Sequence, residues 1–441
     1  MSTLRILAFD HFFDQDLAAL RSALSAGEEL FVMPYQRLYR LARRHFPDRA
    51  FEGLDAALDV PAARWASYRA AVERTAEWWA GAYRPSVFVA PTDAIFYLRP
   101  MIERLAQLDV KTVVVQKETS ISPMVMAQHS AAVARTVPFL SAAMTVCSTR
   151  NRDFWVRSGT PPEVIVVTGQ PRFDVYARAE TESSDRGATP HLLYLSYDDL
   201  AYLPSDVGMP YAGTWRELRR ETEQAIAAAA ESGSWSVTVK RHPQQRAGDN
   251  WLGSGTREAP RDADTRQLIM SADAVIGFQT TAVYEAVLAG KPVLYPAWGA
   301  VFESARSLLL PFHEDPGLVT LLRAPAELAA ALAQSPDELA APTTSGRALA
   351  ESQLGPVDGR ASARVLDVLR RHSGPGPAEV AAPRPSRIAR ATMLGACAPG
   401  LRAAGALAVR LGRPVEGAAA IRRAGHWTEL CTEARAFKHR R

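Results

Sequence analysis

The sequence predicts an α/β protein built from two doubly wound parallel sheets, followed by a basic tail. Short apolar stretches recur along the chain and are separated by segments of helix length, as in parallel sheets whose strands are joined by crossover helices. The series is interrupted once, at Thr181–Pro190, by a polar segment with the composition of a linker. We therefore expect two domains, residues 1–183 and 190–372.

In the first domain, each apolar stretch ends in polar or charged residues. The strands predicted there are Arg5–Phe9, Ser86–Ala90, Lys111–Val115, Ala143–Cys147 and Val164–Val167. Stretches rich in Ala, Arg and Leu follow the first strand and predict helices through residue 79. Strands spaced in this way are typical of one open parallel sheet.

The second domain repeats this organisation. The strands predicted there are His191–Leu195, Ser236–Val239, Ala274–Ile276 and Val293–Tyr295. The predicted helices are 215–232, 282–288 and 359–372. The segment Ser271–Trp298 is the most compact part of the series. Its residues indicate a strand, a polar turn, a helix ended by Gly-Lys-Pro, and a second strand, which together predict a βαβ unit.

Composition limits the class of protein. The chain has 441 residues and a net charge of +4, with 47% hydrophobic and 22% charged residues, which is ordinary for a globular protein of two domains. Its apolar runs are too short to span a membrane, and its N-terminus lacks the pattern of a signal peptide. Three scattered cysteines support neither disulfides nor a zinc site. We expect a cytoplasmic protein that requires no metal or cofactor.

The excess positive charge belongs to the C-terminus. Residues 378–441 contain twelve Arg or Lys against four Glu. A Pro/Gly linker at 373–387 precedes this Ala/Arg-rich segment, for which we expect helices over 388–441. A cationic helical tail could bind the anionic inner face of a cell membrane, or could be a solvated tail with no partner. Nothing in the sequence indicates nucleic-acid binding.

The strand ends predict where a ligand binds. In an open parallel sheet, ligands bind outside the carboxyl ends of the strands. Two such edges facing one another would form an interdomain cleft. In the first domain the candidates for a general base at this edge are Asp10, His11, Asp93 and Glu118.

The second domain offers the groups suited to a phosphate. Lys240, Arg241 and His242 follow a Val-rich strand, and two cations with an imidazole suit the phosphates of a nucleotide diphosphate leaving group. Thr280 and Thr281 open the helix of the βαβ unit, and Glu285 lies in its first turn. No HExxH, GxSxG, Walker or GxGxxG motif is present, which favours electrostatic stabilisation by protein groups.

Four segments resemble a known family. VIVVTGQPRFD (Val164–Asp174) resembles the "vTGxPxxD" end of the first domain in GT-B proteins related to UDP-N-acetylglucosamine 2-epimerase and CDP-glycerol glycerophosphotransferase. VTVKRHP (Val237–Pro243) is similar to their "K-x-HP" strand end, and SADAVIGFQTTAVYEAVLAGKPVLYP to their nucleotide-binding βαβ unit. DGRASARV (Asp358–Val365) resembles their closing helix, which crosses back toward the first domain.

This resemblance implies a GT-B architecture and a set of donor contacts. The donor-binding residues that it implies are Lys240, Arg241, His242, Thr280, Thr281 and Glu285. The hydroxyls and the helix N-terminus would hold the diphosphate, and Glu285 would accept from ribose hydroxyls. Residues 169–171 would shape the domain junction.

The departures from the family pattern narrow the activity. Epimerases carry Ser-Gly-Gly where this chain has FQTT, and a histidine-glutamate turn where it has Lys117-Glu118. The glycerophosphotransferases carry a His-Gly pair at that second place. We therefore predict a metal-independent glycosyltransferase that moves a sugar from a nucleotide-activated donor to a surface or capsular glycan or a lipid-linked acceptor. An epimerase, a glycerophosphotransferase and a non-catalytic nucleotide- or carbohydrate-binding protein are the alternatives left open.

Overall fold

The computed structural model describes residues 3–11, 13–51, 56–117, 123–178, 189–199, 214–242, 245 and 251–377. These residues form two six-stranded parallel sheets, each belonging to its own Rossmann-like unit, as the sequence predicts. Most of the predicted linker at 181–190 and the tail at 388–441 lie outside the described residues. The predicted domain boundaries and the helical tail therefore stay predictions.

The first sheet has the strand order β2-β1-β3-β4-β5-β6. Its strands are β1 (Arg5–Phe9), β2 (Glu29–Met33), β3 (Val87–Ala90), β4 (Lys111–Val115), β5 (Ala143–Val146) and β6 (Ile165–Val167). The order reverses after β2, since β1 pairs with both β2 and β3. The carboxyl ends of the first, third and fourth strands consequently lie side by side.

The second sheet has the order β12-β11-β10-β7-β8-β9. Its strands are β7 (His191–Ser196), β8 (Ser236–Arg241), β9 (Thr256–Glu258), β10 (Ala274–Gly277), β11 (Val293–Pro296) and β12 (Thr320–Leu322). The order reverses at β7, which lies between β8 and β10. The ends of β8 and β10, where the donor contacts are predicted, therefore flank β7.

Helices connect the strands of both sheets. In the first unit they are α1 (Asp14–Ser22), α2 (Tyr35–His45), α3 (Ala62–Tyr83), α4 (Arg99–Gln107), α5 (Pro123–Thr136) and α6 (Thr149–Arg157). The second series is α7 (Arg216–Glu231), α8 (Thr265–Ser271), α9 (Ala282–Leu288), α10 (Ala300–Ala305), α11 (Pro325–Leu332), α12 (Thr344–Leu354) and α13 (Ala361–His372). No helix within the described part of the chain is both long and apolar enough to cross a bilayer.

Side chains point alternately to the two faces along a strand, so the apolar core packs on both faces of the sheet. On β1, Leu7 and Phe9 pack toward α2, α3 and α4, whereas Ile6 and Ala8 face the opposite side. That opposite side is covered in part by α13, whose Val365, Leu366, Val368 and Leu369 belong to the same buried cluster as β1. A helix that follows the second sheet in sequence thus completes the core of the first.

The chain crosses between the two units twice, and the crossing segments bond to one another. The carboxylate of Asp174 accepts hydrogen bonds from the backbone N–H groups of Ala361 and Ser362, both at 2.8 Å, and so caps α13. Gly355 adopts φ 88°, and a Cβ there would lie 1.8 Å from the carbonyl oxygen of Cys147. After α13, the Gly374 N–H donates to the Ser86 carbonyl at 2.9 Å, just before β3.

Three strands were absent from the sequence prediction. β2, β9 and β12 are edge strands of three to five residues whose side chains are largely half-buried or exposed. Segments this short cannot be distinguished from helix or loop by their periodicity alone. β2 falls in a segment for which helices were predicted. The other strands agree with the prediction to within two residues at each end.

Candidate active site

The carboxyl edges of the two sheets meet in a cleft. The amide of Gln15 on α1 donates to the carboxylate of Asp264, the residue that caps α8, across 3.3 Å. On the second-unit side a pocket opens beside this contact, with a volume of about 390 Å³ that includes solvent at its mouth. The residues that line it are Leu195, Ser196, Lys240, Arg241, His242, Thr265, Thr280 and Ala282.

Lys240 lies at the wall of this pocket with part of its hydrogen-bonding capacity used. Its Nζ donates to the carbonyl oxygens of Pro260 at 3.1 Å and Arg261 at 2.6 Å, which ties the segment before α8 to β8. Burial lowers the pKa of Lys240, and the charges of Asp262 and Asp264 act in the opposite direction. An ammonium has three donors, so these two bonds leave capacity for one phosphate contact.

Arg241 and His242 follow at the end of β8. The Nε of Arg241 pairs with the Glu258 carboxylate at 2.8 Å, which fixes the side chain at the pocket edge. The backbone N–H of His242 donates to the Ser196 carbonyl, continuing the ladder between β7 and β8. Burial lowers the pKa of His242, and the nearby charge of Lys117 lowers it further.

The turn after β10 is held by an internal side chain. Gln279 has φ 50°, a left-handed conformation that is uncommon for a residue with a side chain. Its amide nitrogen donates to the Tyr295 hydroxyl at 2.7 Å and the Leu310 carbonyl at 3.2 Å, and its oxygen accepts from the Leu310 N–H at 2.8 Å. These bonds fix the turn that presents Thr280 to the pocket.

The two threonines of this turn occupy different places. Thr280 lines the pocket, and Thr281 precedes the first residue of α9 without a side-chain cap. Both are half-buried. The structure therefore brings Lys240, Arg241, His242 and Thr280 together, as the sequence predicts, while a diphosphate contact from Thr281 stays a prediction.

Glu285 lies behind the pocket. Its side chain is buried, and its Oε2 accepts a hydrogen bond from the Tyr176 hydroxyl at 2.8 Å. Tyr176 belongs to the 3-10 segment Pro171–Arg178, in which the chain crosses from the first unit to the second. The predicted ribose contact of Glu285 stays a prediction.

On the opposite side of the cleft, His11 follows β1. Its ring lies 6.2 Å from that of Phe9 in a stacked arrangement and meets Tyr35 edge-on at 4.9 Å. Burial lowers the pKa of His11, and the charge of Lys117 at the end of β4 adds to this effect. Because Lys117 also lowers the pKa of His242, one ammonium lies within electrostatic range of imidazoles from both units.

The other acceptor-side candidates differ in accessibility. Asp10 accepts a hydrogen bond from the Tyr35 N–H at 2.6 Å, and burial raises its pKa. Asp93 is 0% exposed, and its Oδ2 accepts from the backbone of Leu140 and from the backbone and hydroxyl of Ser141 at 2.8–3.0 Å. Glu118 lies outside the described residues.

The prediction that Asp93 is a candidate general base therefore requires a correction. A general base must reach the proton that it removes, and a fully buried carboxylate that is bonded to the segment before β5 does not. Its strand-end position is the one predicted, but the side chain turns inward to hold residues 140–141. We assign it a structural role.

Sequence reasoning missed three residues of this site. Lys117 was noticed only as a neighbour of Glu118, although its place at a strand end is the same signal that selected His242. Tyr176 and Arg266 carried no signal, because Glu285, the partner of Tyr176, and Arg172, whose carbonyl accepts from Arg266, lie 109 and 94 residues away along the chain. Among the residues that the structure describes, no three His, Cys, Asp or Glu side chains lie close enough to share a metal ion.

Comparisons with known proteins bear on the fold. Neither a family model nor a curated protein matches this sequence. A protein assigned as a UDP-N-acetylglucosamine 2-epimerase from Listeria monocytogenes is 12% identical with a TM-score of 0.50, over 84% of this chain and 97% of that one. MnaA of S. aureus, solved as a co-structure with UDP, gives the same identity, TM-score and coverage.

A variant of the wall teichoic acid polymerase TagF is 8% identical with a TM-score of 0.51, over 84% of this chain and 88% of that one. The structural resemblance to UDP-N-acetylglucosamine 2-epimerases and to this polymerase is therefore confirmed, and the chain has a GT-B-like fold. At these identities the similarity concerns the fold alone.

Proposed function

We propose that this protein is a glycosyltransferase that moves a sugar from a nucleotide-activated donor to a surface glycan or lipid-linked acceptor, using protein cations rather than a metal ion at the phosphates. One observation carries the proposal. Lys117 of the first unit lies within electrostatic range of His11 and also of His242 of the second unit, and His242 lines a pocket together with Lys240 and Arg241.

The donor side of the proposal rests on charge. A nucleoside diphosphate leaving group develops negative charge as the glycosidic bond breaks, and fixed donors stabilise that charge most when water is partly excluded. Arg241 supplies a guanidinium at the pocket edge, and Lys117 supplies an ammonium from the facing unit. Each charge-assisted contact is worth roughly 1.5–3 kcal/mol. The fold neighbour MnaA was solved with UDP, which is consistent with a nucleotide in a fold of this kind.

The acceptor side rests on the protonation state of His11. Its pKa lies below the usual 6.5, because the imidazole is half-buried and near the Lys117 ammonium, so the ring is neutral at pH 7. A neutral imidazole can take the acceptor hydroxyl proton while the acceptor oxygen bonds to the anomeric carbon. The bond from that carbon to the diphosphate breaks in the same reaction, and the nucleoside diphosphate leaves with the electron pair. Glu118 and Asp10 are the other candidate bases.

The basic tail supplies a route to a lipid-linked acceptor. We propose that residues 388–441 bind anionic membrane surfaces, since their excess of Arg and Lys would be attracted to acidic lipids. Truncation after His372 should reduce sedimentation with anionic liposomes at low salt and leave donor hydrolysis intact. If the full-length protein ignores such liposomes at low ionic strength, where screening is weakest, this part of the proposal is wrong.

The proposed activity is tested with a panel of nucleotide sugars, each with and without oligosaccharide and lipid-linked acceptors. Release of nucleoside diphosphate that depends on acceptor, persists in EDTA and is lost in His11→Asn is the expected result. Acceptor-independent isomerisation would instead identify an epimerase, and transfer of a glycerophosphate unit from CDP-glycerol a glycerophosphotransferase. Saturable nucleotide binding without turnover in any mixture would identify a binding protein.

A further inference from the structure

The helix α2 carries positive charge on its outer side and no acidic residue. At 100° per residue its arginines fall within an arc of about 120°, which we call the arginine face: Arg37, Arg40, Arg43 and Arg44. The last three are exposed and the first is half-buried. Leu38 and Ala42, on the other side of the helix, are fully buried in the core of the first unit. The charged side of α2 is therefore the side left to solvent.

Two of these arginines are held in place by aromatic rings. The Arg37 guanidinium lies 5.4 Å from the centre of the Trp79 ring, and that of Arg43 lies 5.1 Å from the centre of the Phe51 ring. Arg43 also pairs with the exposed carboxylate of Asp48 at 3.0 Å. This is a small compensation, since residues 35–51 contain five Arg against one Asp.

Other helices of the chain balance their arginines with acids. On α7, Arg220 pairs with Glu217, and on α13, Arg370 pairs with Asp367, in both cases three residues apart. On α2 the neighbours of Arg40 at spacings of three and four are themselves arginines. Like charges at these spacings repel and destabilise a helix. An anion bound to the arginine face would relieve that repulsion.

The arginine face starts beside the candidate general base. Tyr35 is the first residue of α2, and its N–H donates to the Asp10 carboxylate at 2.6 Å. Its ring meets the His11 ring edge-on, with the centroids 4.9 Å apart. Arg40 and Arg44 follow about 8 and 14 Å further along the helix axis, at 1.5 Å per residue. A chain whose terminal hydroxyl lies at His11 can thus extend along α2.

We propose that the arginine face binds a negatively charged saccharide chain, the part of the acceptor that lies behind the reacting hydroxyl. The inference rests on the proposed function in that it takes His11 to mark the acceptor side. Carboxylates or phosphates on the chain would meet a surface of opposite charge. A membrane suits this face less well, because α2 has buried its apolar side and has none left to insert into a bilayer.

The test measures binding of fluorescently labelled probes to the full-length protein at low salt. Hexagalacturonate carries carboxylates, linear hexaphosphate carries phosphates, and maltohexaose is the neutral probe. Arg40→Glu/Arg44→Glu is compared with Arg74→Glu/Arg157→Glu, which makes the same change of charge at exposed positions of α3 and α6. We expect the α2 variant to bind one or both anionic probes about tenfold more weakly, the control variant to bind them like wild type, and maltohexaose binding to stay unchanged.

Salt and stability provide two further readouts. At 1 M salt the screening length is about 3 Å, so the difference between the two double variants should disappear. The urea midpoint of the α2 variant should equal or exceed that of wild type, because the new carboxylates lie next to Arg37 and Arg43 on the helix. Equal losses of binding in both double variants, or no preference of wild type for either anionic probe over maltohexaose, would overturn the inference.

Two other outcomes separate the possible partners and functions. If the α2 variant loses sedimentation with phosphatidylglycerol vesicles but binds both anionic probes like wild type, the face serves a lipid surface and the inference is wrong. Binding of an anionic probe that depends on Arg40 and Arg44, together with no acceptor-dependent release of nucleoside diphosphate, would overturn the transferase and retain the arginine face. Transfer to neutral acceptors alone, at equal rates in wild type and the α2 variant, would do the reverse.

Discussion

The two units meet at a junction and at a cleft, and their polar residues serve different purposes in the two places. At the junction, Asp174 caps α13, and Asp16 accepts from Gln170 and Arg172, so carboxylates are matched to donors of the chain itself. At the cleft, the Lys117 ammonium lies within electrostatic range of His11 on its own unit and of His242 on the other.

This difference separates the family-like motifs of the chain into those that build the junction and those that serve the cleft. The TGQPRFD and DGRASARV segments bond to each other and build the junction, whereas residues 240–242 and the FQTT segment line the cleft or position a residue that does. A junction substitution should therefore reduce stability more than rate per folded molecule. A cleft substitution should do the reverse.

The largest effect is expected at Gly355. The change Gly355→Ala places a methyl group 1.8 Å from the carbonyl oxygen of Cys147, at a backbone conformation that alanine rarely adopts, so the segment before α13 must move away from the end of β5. We expect a loss of about 4 kcal/mol or more in the free energy of unfolding, measured by urea denaturation. The control is Gly159→Ala, at φ 84° with open space around the new methyl group. Equal losses in both variants would mean that the close approach at the junction is unimportant.

The next effect concerns the cleft. His11→Asn should reduce acceptor-dependent turnover by about a hundredfold or more, because the proton of the acceptor hydroxyl loses its base. The urea midpoint should change little, since the imidazole is half-buried and packs mainly against Phe9 and Tyr35. Asp93→Asn should show the opposite pattern, with lower stability and near-normal turnover per folded molecule. Reversal of these two patterns would exchange their assigned roles.

A smaller loss is expected from the cap of α13. Asp174→Ala removes two acceptors from the first turn of this helix and should lower the free energy of unfolding by about 1–2 kcal/mol. Asp367→Ala is the comparison, because Asp367 forms an exposed ion pair with Arg370 on the same helix, a kind of interaction worth less than about 1 kcal/mol. If the two variants unfold at the same urea concentration, the cap contributes no more than the surface pair.

The smallest effect is a change in titration. Lys117→Gln removes the cation that lowers the pKa of His11 and His242, so both values should rise toward 6.5, as followed by NMR of the imidazole protons. More of His11 is then protonated at pH 6, and the acidic limb of the rate profile moves to higher pH. His313, whose pKa is lowered by burial and Arg306, should not change. A rise in His313 as well would indicate a general rearrangement.

Much of this fold could be predicted from the sequence, because central parallel strands are continuous apolar runs. Lys111–Val115 was predicted with its observed bounds for that reason. The edge strand Glu29–Met33 was not, because its apolar run of four residues cannot be distinguished from part of a helix by periodicity alone. A strand-end position likewise predicted the edge on which Asp93 and His11 lie, but not that Asp93 is fully buried while His11 is half-buried.

The features that the sequence did not predict depend on contacts between residues far apart along the chain. The Asp174 side chain was part of a motif associated with the junction, yet its role as a helix cap depends on residues 187 and 188 positions later. The Tyr176–Glu285 bond spans 109 positions and joins two segments that resemble a family only separately. Such contacts are determined by the packing of the two units and leave no periodic pattern in the sequence.

The bond between Gly374 and Ser86 fixes where the C-terminal segment leaves the body. Ser86 precedes β3, so the chain departs at the amino edge of the first sheet, whereas the cleft lies at the carboxyl edge, about 15 Å away along the strands. A membrane bound by the tail would thus be attached to the protein at the amino edge of the first sheet. The mouth of the cleft would be turned away from the lipid, open to a diffusing nucleotide and to the distal end of a growing chain.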